Sequence, residues 1–423
     1  MDKSVVMFPG QSSQYVGMGK YWFDNYEIVR QRFEEVSEIL GLDLASLCFN
    51  GPANELKKTE NTQVALLTLS VAMYEVLLEE EKIKPAFLAG HSIGELSALT
   101  ASGVFTFADG VHLARVRGEA MAACNTDKQV GMVAVTNIKA SIVESYIAET
   151  DPKGVNIQIA NFNSPTQTVL SSITEEMLKI GEHLKGLGAN VIPLNVSGAF
   201  HSEFMADAQG PLAQALEPII LGDMSVPVMC GQDGRLYTKE DDIKGFLVSQ
   251  LTQPVRWTKT LSRLSEERID NWLEIGPKSV LKNLTLQTIP EARVYAYDEE
   301  ADRNARKSEY ELKEKDNSKL PNFVGLCLGA AVATRNMNWN EDEYKKGVIE
   351  PYKRIQKVHD LIEQEKRSPK KEELLHALSD LKIIFKTKGV PEQEQNERIK
   401  QISHSTSIES LIMEDLQLVR EGG

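Results

Sequence analysis

The segment Gly90-His91-Ser92-Ile93-Gly94 constrains this chain more than any other. It directly follows a short apolar run over 86–89 and directly precedes Glu95-Leu96-Ser97-Ala98-Leu99, which favours helix. A strand that turns at once into a helix belongs to an alternating α/β architecture, in which each helix crosses back over a parallel sheet. Two glycines permit the sharp bend, and the bend lifts the Ser92 hydroxyl clear of the sheet. The Ile93 amide then points to where an oxyanion would form, at the positive end of a helix dipole. On residues alone, an idle serine in a glycine-rich turn is the competing reading.

The flanking chain continues the alternation. Ser4–Phe8 reads as a buried strand ended by Pro9-Gly10, 62–78 is apolar at helical spacing, and 108–123 reads as a helix. The pattern then changes. Strand 131–135, helix 142–149, strands 157–160 and 168–170 around the turn signal Asn163-Ser164-Pro165, helix 175–187 and strand 190–194 follow one another. That β-α-β-β-α-β order is the ferredoxin-like pattern. A helix at 202–216, a strand at 226–229, helices at 242–251 and 257–264 and a strand at 272–275 resume the first pattern. The expectation is an α/β protein. An α/β-hydrolase-like domain with a parallel sheet spans 1–127 and 197–290, and a ferredoxin-like domain is inserted over 128–196.

Charge separates the remainder. Residues 1–290 hold 35 of the 61 acidic and 24 of the 47 basic residues, so most of the net charge of −14 lies there. Residues 291–423 are nearly balanced and read as a linker followed by a helical C-terminal extension. Residues 297–321 read as the solvated linker. Val348, Tyr352, Ile355 and Ile362 share one helix face. Leu374, Leu378, Leu381 and Phe385 share another, stopped by Gly389-Val390-Pro391. Thr406-Ser407-Ile408-Glu409 reads as a capping box opening a last helix. The acidic balance argues against nucleic acid as a partner. Four scattered cysteines without a CxxC pair fit a reducing cytoplasm and give no zinc site. The first residues lack a signal-peptide pattern, and the longest apolar run, Phe323–Ala333, is too short to span a membrane. The expected setting is therefore cytoplasmic, without membrane, metal or other cofactor.

A serine nucleophile needs a base. Of the seven histidines, His112 and His183 lie within helix patterns, and His359, His376 and His404 lie in the charged C-terminal helices. His91 adjoins the serine, and its side chain is expected to point elsewhere on the bend. His201 closes the small-residue loop Val196-Ser197-Gly198-Ala199-Phe200-His201, between a strand and a helix, where functional groups tend to sit. By itself it reads equally as a loop histidine facing water. Arg117, taken alone, reads as a surface arginine on an amphipathic helix, and Arg115 as solvated.

Five segments together resemble one family. Met7-Phe8-Pro9-Gly10-Gln11-Ser12-Ser13-Gln14, Gly90–Gly94, Arg115-Val116-Arg117-Gly118, Ser197–His201 and Glu274-Ile275-Gly276-Pro277 are similar, in order and spacing, to the malonyl-CoA:acyl-carrier-protein transacylases. These include the stand-alone acyltransferases of polyketide and hybrid peptide–polyketide pathways. The resemblance covers about residues 1–290 and implies the following roles. Ser92 is the acylated nucleophile and His201 its base, oriented by a backbone carbonyl at Gln250 rather than by a carboxylate. Gln11 and Ile93 form the oxyanion hole through their amides. Arg117 grips the malonyl carboxylate, a pairing that a guanidinium makes bidentately. His91, Phe200 and Asn161 join it as substrate contacts, and Phe200 fits the malonyl-selecting form of its loop. Thr166 and Ser172 depart from the family's usual glycines. The implied partners are malonyl-CoA and the phosphopantetheine of an acyl carrier protein. The C-terminal helices lie outside the resemblance, and they read either as a docking element for a synthase module or carrier protein or as a layer that packs on the catalytic domain and stabilises it. A proofreading acyl hydrolase on the same scaffold is the alternative.

Overall fold

The computed structural model describes residues 3–81, 83–124, 129–317, 323–365 and 367–406. Two compact units result, Met1–Arg306 and Lys307–Gly423. In chain order the strands are β1 (Ser4–Phe8), β2 (Phe87–Gly90), β3 (Val130–Thr136), β4 (Ile157–Ser164), β5 (Gln167–Ile173), β6 (Asn190–Pro193), β7 (Asn271–Glu274) and β8 (Val294–Ala296).

β1, β2 and β7 are buried at every position, as a parallel sheet covered on both faces requires. The sheet runs β2-β1-β7-β8, all parallel. The strand expected at 226–229 is reduced to a parallel bridge between Leu88 and Val228 and an antiparallel one between Met229 and Leu236. Pro227 explains this, since it has no N–H to extend the ladder. The helix Thr59–Glu81 passes through the core and is buried around most of its circumference. Its length and hydropathy would suit a bilayer, but 89% of its apolar window is covered by the protein itself. This helix, and not Phe323–Ala333, is the long apolar element of the chain.

The second sheet runs β4-β5-β3-β6 and is antiparallel throughout. Helices Ala140–Thr150 and Thr174–Gly186 supply its connections. Val133, Val135, Ile157, Leu170, Ile180 and Leu184 form its separate core. Two register shifts bulge β4 on either side of Asn161 and Phe162. There β4, still paired with β5, also bonds the other lobe through its free edge. Phe162 N donates to the Val255 carbonyl and Val255 N to the Ala160 carbonyl, both at 2.9 Å.

Two expected elements differ. The helix at 202–216 is a 3-10 turn, Glu203–Ala208, followed by a helix, Gln209–Leu216. Pro211 sits in the first turn of the second piece, where its missing N–H costs nothing. The segment 297–321, read as a solvated linker, is helical over Glu300–Asn317. Two of its charged residues are held by the first unit. Asp302 accepts from Lys282 Nζ and from the Ala296 amide, each at 2.7 Å, and buried Arg306 reaches Glu81 at 3.3 Å. With β8 in the parallel sheet, this unit extends past 290 to Arg306.

The second unit holds helices Phe323–Ala333, Glu350–Glu365, Lys371–Lys388 and Glu392–Ser405. Phe323, Cys327, Ile355, Ile362, Leu378, Leu381, Phe385 and Ile399 fill its core. Gly389, at φ 74°, ends the third of these helices in the left-handed conformation that only glycine adopts cheaply. Buried Lys388 caps the first, donating to the Ala331 and Thr334 carbonyls at 2.6 and 3.0 Å. The capping pattern at 406–409 lies, beyond Thr406, outside the described residues.

Candidate active site

β2 ends at Gly90 and the next helix begins at Ile93, which leaves Ser92 at φ 56°, ψ −114°. That backbone region is disfavoured for any residue with a Cβ and persists only where the surroundings enforce it. Here they do. A Cβ on Gly90 would lie 2.0 Å from the Gly94 carbonyl carbon, and one on Gly94 would lie 2.0 Å from the Phe8 carbonyl oxygen. Both glycines are therefore fixed by contact, and the turn holds Ser92 at the carboxyl end of the parallel sheet.

His201 approaches from a loop shaped by hydrogen bonds. Ser171 Oγ of β5 donates to the Phe200 carbonyl at 2.5 Å, Ser202 Oγ to that of Ala199 at 2.5 Å, and Glu203 N to Gln158 Oε1 at 3.0 Å. Thr59 and Ser197 hydroxyls meet at 2.8 Å. The loop delivers His201 Nε2 to 2.7 Å from Ser92 Oγ. On the far side of the ring, Nδ1 lies 2.9 Å from the Gln250 backbone carbonyl. A carbonyl can only accept, so Nδ1 carries the proton and Nε2 is left to accept from the serine. Burial, reinforced by the Arg117 charge, pushes His201 down to about 3, so its imidazole is neutral at physiological pH.

Arg117 lies on the helix Phe107–Ala123 and is 3% exposed. Nη1 donates to Gln63 Oε1 at 2.8 Å, and Nη2 to Gln250 Oε1 at 2.9 Å. Nη2 also stands 3.4 Å from Ser92 Oγ. Among the described residues no carboxylate forms a salt bridge with it. Burial lowers it to about 10, with Glu95 opposing, which leaves it charged at neutral pH. A buried guanidinium without a direct counter-ion is costly and is suited to an incoming carboxylate. Gly118 makes the placement possible. A Cβ there would come within 2.5 Å of Glu60 Cα, so only glycine lets this helix lie against Thr59–Glu81 and set Arg117 beside Gln63.

The other sequence candidates fall around this pair. Gln11 is half-buried in the turn after β1, and its amide, like that of Ile93, donates no hydrogen bond among the described residues. His91 is half-buried and bonds Asn163 Oδ1 of β4 through Nε2 at 2.9 Å, with its ring edge-on to Trp257. Burial holds it below its ordinary value. Phe200 is buried beside His201, and Asn161 is buried at the β4 bulge. Arg115 is half-buried rather than solvated, bonded to Glu119 at 2.6 Å and Asn61 at 3.1 Å.

Sequence reasoning missed Gln63, Glu95, Tyr237 and Ser171. Glu95 accepts from the Gly231 amide and the Tyr237 hydroxyl, and Gln250 Nε2 bonds it as well. Its signal was visible as a lone acid in the otherwise apolar or small helix Ile93–Ala101. Gln63 was visible in the same way, as an amide within an apolar core helix.

Comparison with known proteins places this geometry. Residues 5–317 match the acyl transferase domain family. A malonyl CoA-acyl carrier protein transacylase of Bacillus subtilis is 30% identical over 395 residues, which is 93% of this chain and 99% of that protein. The match is therefore too long to be confined to the first unit. Among solved structures, the malonyl CoA-acyl carrier protein transacylase of Clostridium perfringens superposes with a TM-score of 0.69 at 34% identity, covering 74% of this chain and 98% of that one. A malonyl-transacylase solved with its holo type II PKS acyl-carrier protein gives 0.68 at 35% identity, covering 71% and 97%.

Proposed function

This chain belongs to the acyl transferase family of malonyl-CoA:acyl-carrier-protein transacylases, and on that premise we propose how its own residues move malonyl from CoA to a carrier-protein thiol. The reaction is a ping-pong transfer through a malonyl ester on Ser92. Arg117 binds the malonyl carboxylate. His201 Nε2 takes the Ser92 proton as Oγ attacks the thioester carbon. The Gln11 and Ile93 amides hold the oxyanion, each contributing about 3 kcal/mol. The tetrahedral intermediate collapses, the C–S bond breaks, and the departing CoA thiolate takes the proton from His201. The phosphopantetheine thiol of the carrier protein then gives its proton to His201 and attacks the ester, and Ser92 leaves with that proton.

The observation that carries this reading is the position of Ser92 Oγ, 2.7 Å from a neutral imidazole nitrogen and 3.4 Å from a buried arginine. A hydrolase of neutral acyl chains has no use for that charge. Incubation with malonyl-CoA should add one malonyl mass to the intact protein, and Ser92→Ala should abolish it. An undiminished adduct would move the nucleophile elsewhere. Release of free malonate with no transfer to carrier protein would assign the proofreading hydrolase instead.

The strand order β4-β5-β3-β6, with two crossover helices, supports reading residues 128–196 as a ferredoxin-like insertion in an α/β-hydrolase-like domain. His91, Asn161 and Phe200 are assigned to the substrate cleft between those lobes, supported by the burial of Asn161 and Phe200 and by the His91 bond to Asn163. Four cysteines, all without disulfides, support a cytoplasmic setting. The likeness to a transacylase captured with a polyketide carrier protein supports a biosynthetic carrier as the acceptor. For Lys307–Gly423, the self-contained apolar core supports an independently packed module. Removing it and assaying self-acylation and carrier transfer separately tests whether it also docks the carrier.

A further inference from the structure

Glu95 is 1% exposed, one helical turn beyond the nucleophile, and its bonds go to Gly231, Tyr237 and Gln250 rather than to Ser92 Oγ or Arg117. Both of its oxygens receive donors. Oε1 accepts from the Gly231 amide at 3.0 Å and from the Tyr237 hydroxyl at 2.7 Å, and Oε2 accepts from Gln250 Nε2 at 2.5 Å. Gln250 passes the interaction on, because its Oε1 accepts from Arg117 Nη2 at 2.9 Å. A guanidinium has no acceptor and an ionised carboxylate has no donor. Only one orientation of the Gln250 amide satisfies both neighbours, and Gln250 is itself 2% exposed, so no water competes. The second amide on Arg117, Gln63, is anchored more weakly, since among the described residues its NH2 bonds only Met121 Sδ, at 3.2 Å.

From this geometry we propose that Glu95 is a positioning residue for acyl selection: it locks the Gln250 amide, which in turn holds the Arg117 guanidinium where it meets the malonyl carboxylate. The inference rests on Arg117 gripping that carboxylate. The chemistry of position 95 is narrow. A glutamine there would bring an NH2 group that must face either the Gly231 side or Gln250. The Gly231 amide is fixed as a donor and cannot reverse. The new NH2 therefore faces Gln250, whose amide must flip and turn its own NH2 onto Arg117. The guanidinium then loses an acceptor and shifts.

The test is steady-state and single-turnover acylation of the full chain with malonyl-CoA and acetyl-CoA. Glu95→Gln should raise KM for malonyl-CoA by roughly tenfold to a hundredfold, the scale on which a small misplacement of a clamp is felt. Acetyl-CoA turnover should hold, so the malonyl preference falls by the same factor. Glu95→Asp keeps the carboxyl group but retracts the acceptor, and should give an intermediate shift in the same direction. A merely structural residue would lower both substrates alike. An unchanged preference in folded Glu95→Gln overturns the proposal. If that variant does not fold, an unchanged preference in Glu95→Asp overturns it, and if neither folds, Glu95 is a folding residue and the proposal fails. Arg117→Ala in the same assay separates the two ideas. If its preference is intact, the clamp reading itself is wrong. If Arg117→Ala loses the preference while Glu95→Gln keeps it, only the role of Glu95 falls.

Discussion

Both units of this protein close over apolar cores, and they differ in the polar groups that they bury beside them. Met1–Arg306 carries Glu95, Arg117, His201 and Gln250 in its interior, each within a few per cent of full burial. Lys307–Gly423 closes over leucine, isoleucine and phenylalanine, and its buried Lys388 spends its charge on capping a helix. Packed apolar groups hold a shape, whereas buried polar groups hold a charge pattern. They do so only if every donor and acceptor is matched. The first unit meets that demand around Arg117 by routing its donors to the amides of Gln63 and Gln250 rather than to a carboxylate. The contrast shows where this chain tolerates change. The helical unit needs volume, and the α/β unit needs identity.

The sharpest way to break the comparison is at Arg117. Arg117→Ala should cut the preference for malonyl-CoA over acetyl-CoA by about 10²–10⁴-fold, measured as the ratio of acylation rates, because the substrate carboxylate would be buried unpaired. If the ratio holds, the buried charge in the first unit serves packing after all. The matching change in the other unit is Leu381→Ala, at a fully buried position. It should lower the stability of the helical unit by about 2–5 kcal/mol, seen as an earlier denaturant transition. Self-acylation below that transition should be unchanged, and a proportional loss would show that the helical core also supports the active site.

The smallest expected effect is an absence. An unperturbed histidine titrates near 6.5. His201 is pushed down to about 3 by burial and by Arg117, so self-acylation should show no histidine limb between about pH 8 and about pH 5. The same depression acts on stability. Below about 6.5 the unfolded chain binds a proton that folded His201 refuses, so stability falls as pH falls toward the folded value. A rate profile with a midpoint near 6.5 would mean that the imidazole is wet, and that this interior is less closed than that of the helical unit.

Much of the frame was legible in advance. β1 and β2 are short, largely apolar runs ended by turn residues, and the bend at Ser92 announces itself through two glycines whose reason is steric. The strand order of the antiparallel sheet also follows a recognisable alternation. The reading failed where charge density stood in for exposure. Residues 300–306 look solvated in one dimension, yet Asp302 and Arg306 find their partners at Lys282 and Glu81. It failed again at Glu95 and Gln63, whose neighbours, Tyr237 and Arg117, lie far along the chain.

The sequence by itself therefore determined what is local: the periodicities, the tight bend, and the kinds of group that could attack, take a proton or hold an anion. Resemblance had singled out His201 among the seven histidines, but tertiary structure alone decided how closely it meets the serine and which way the Gln250 amide faces. It also decided that an arginine readable as a surface residue is buried. The reason is that local geometry depends on neighbours a few residues away. Desolvation and hydrogen-bond matching depend on groups that only the folded chain brings together.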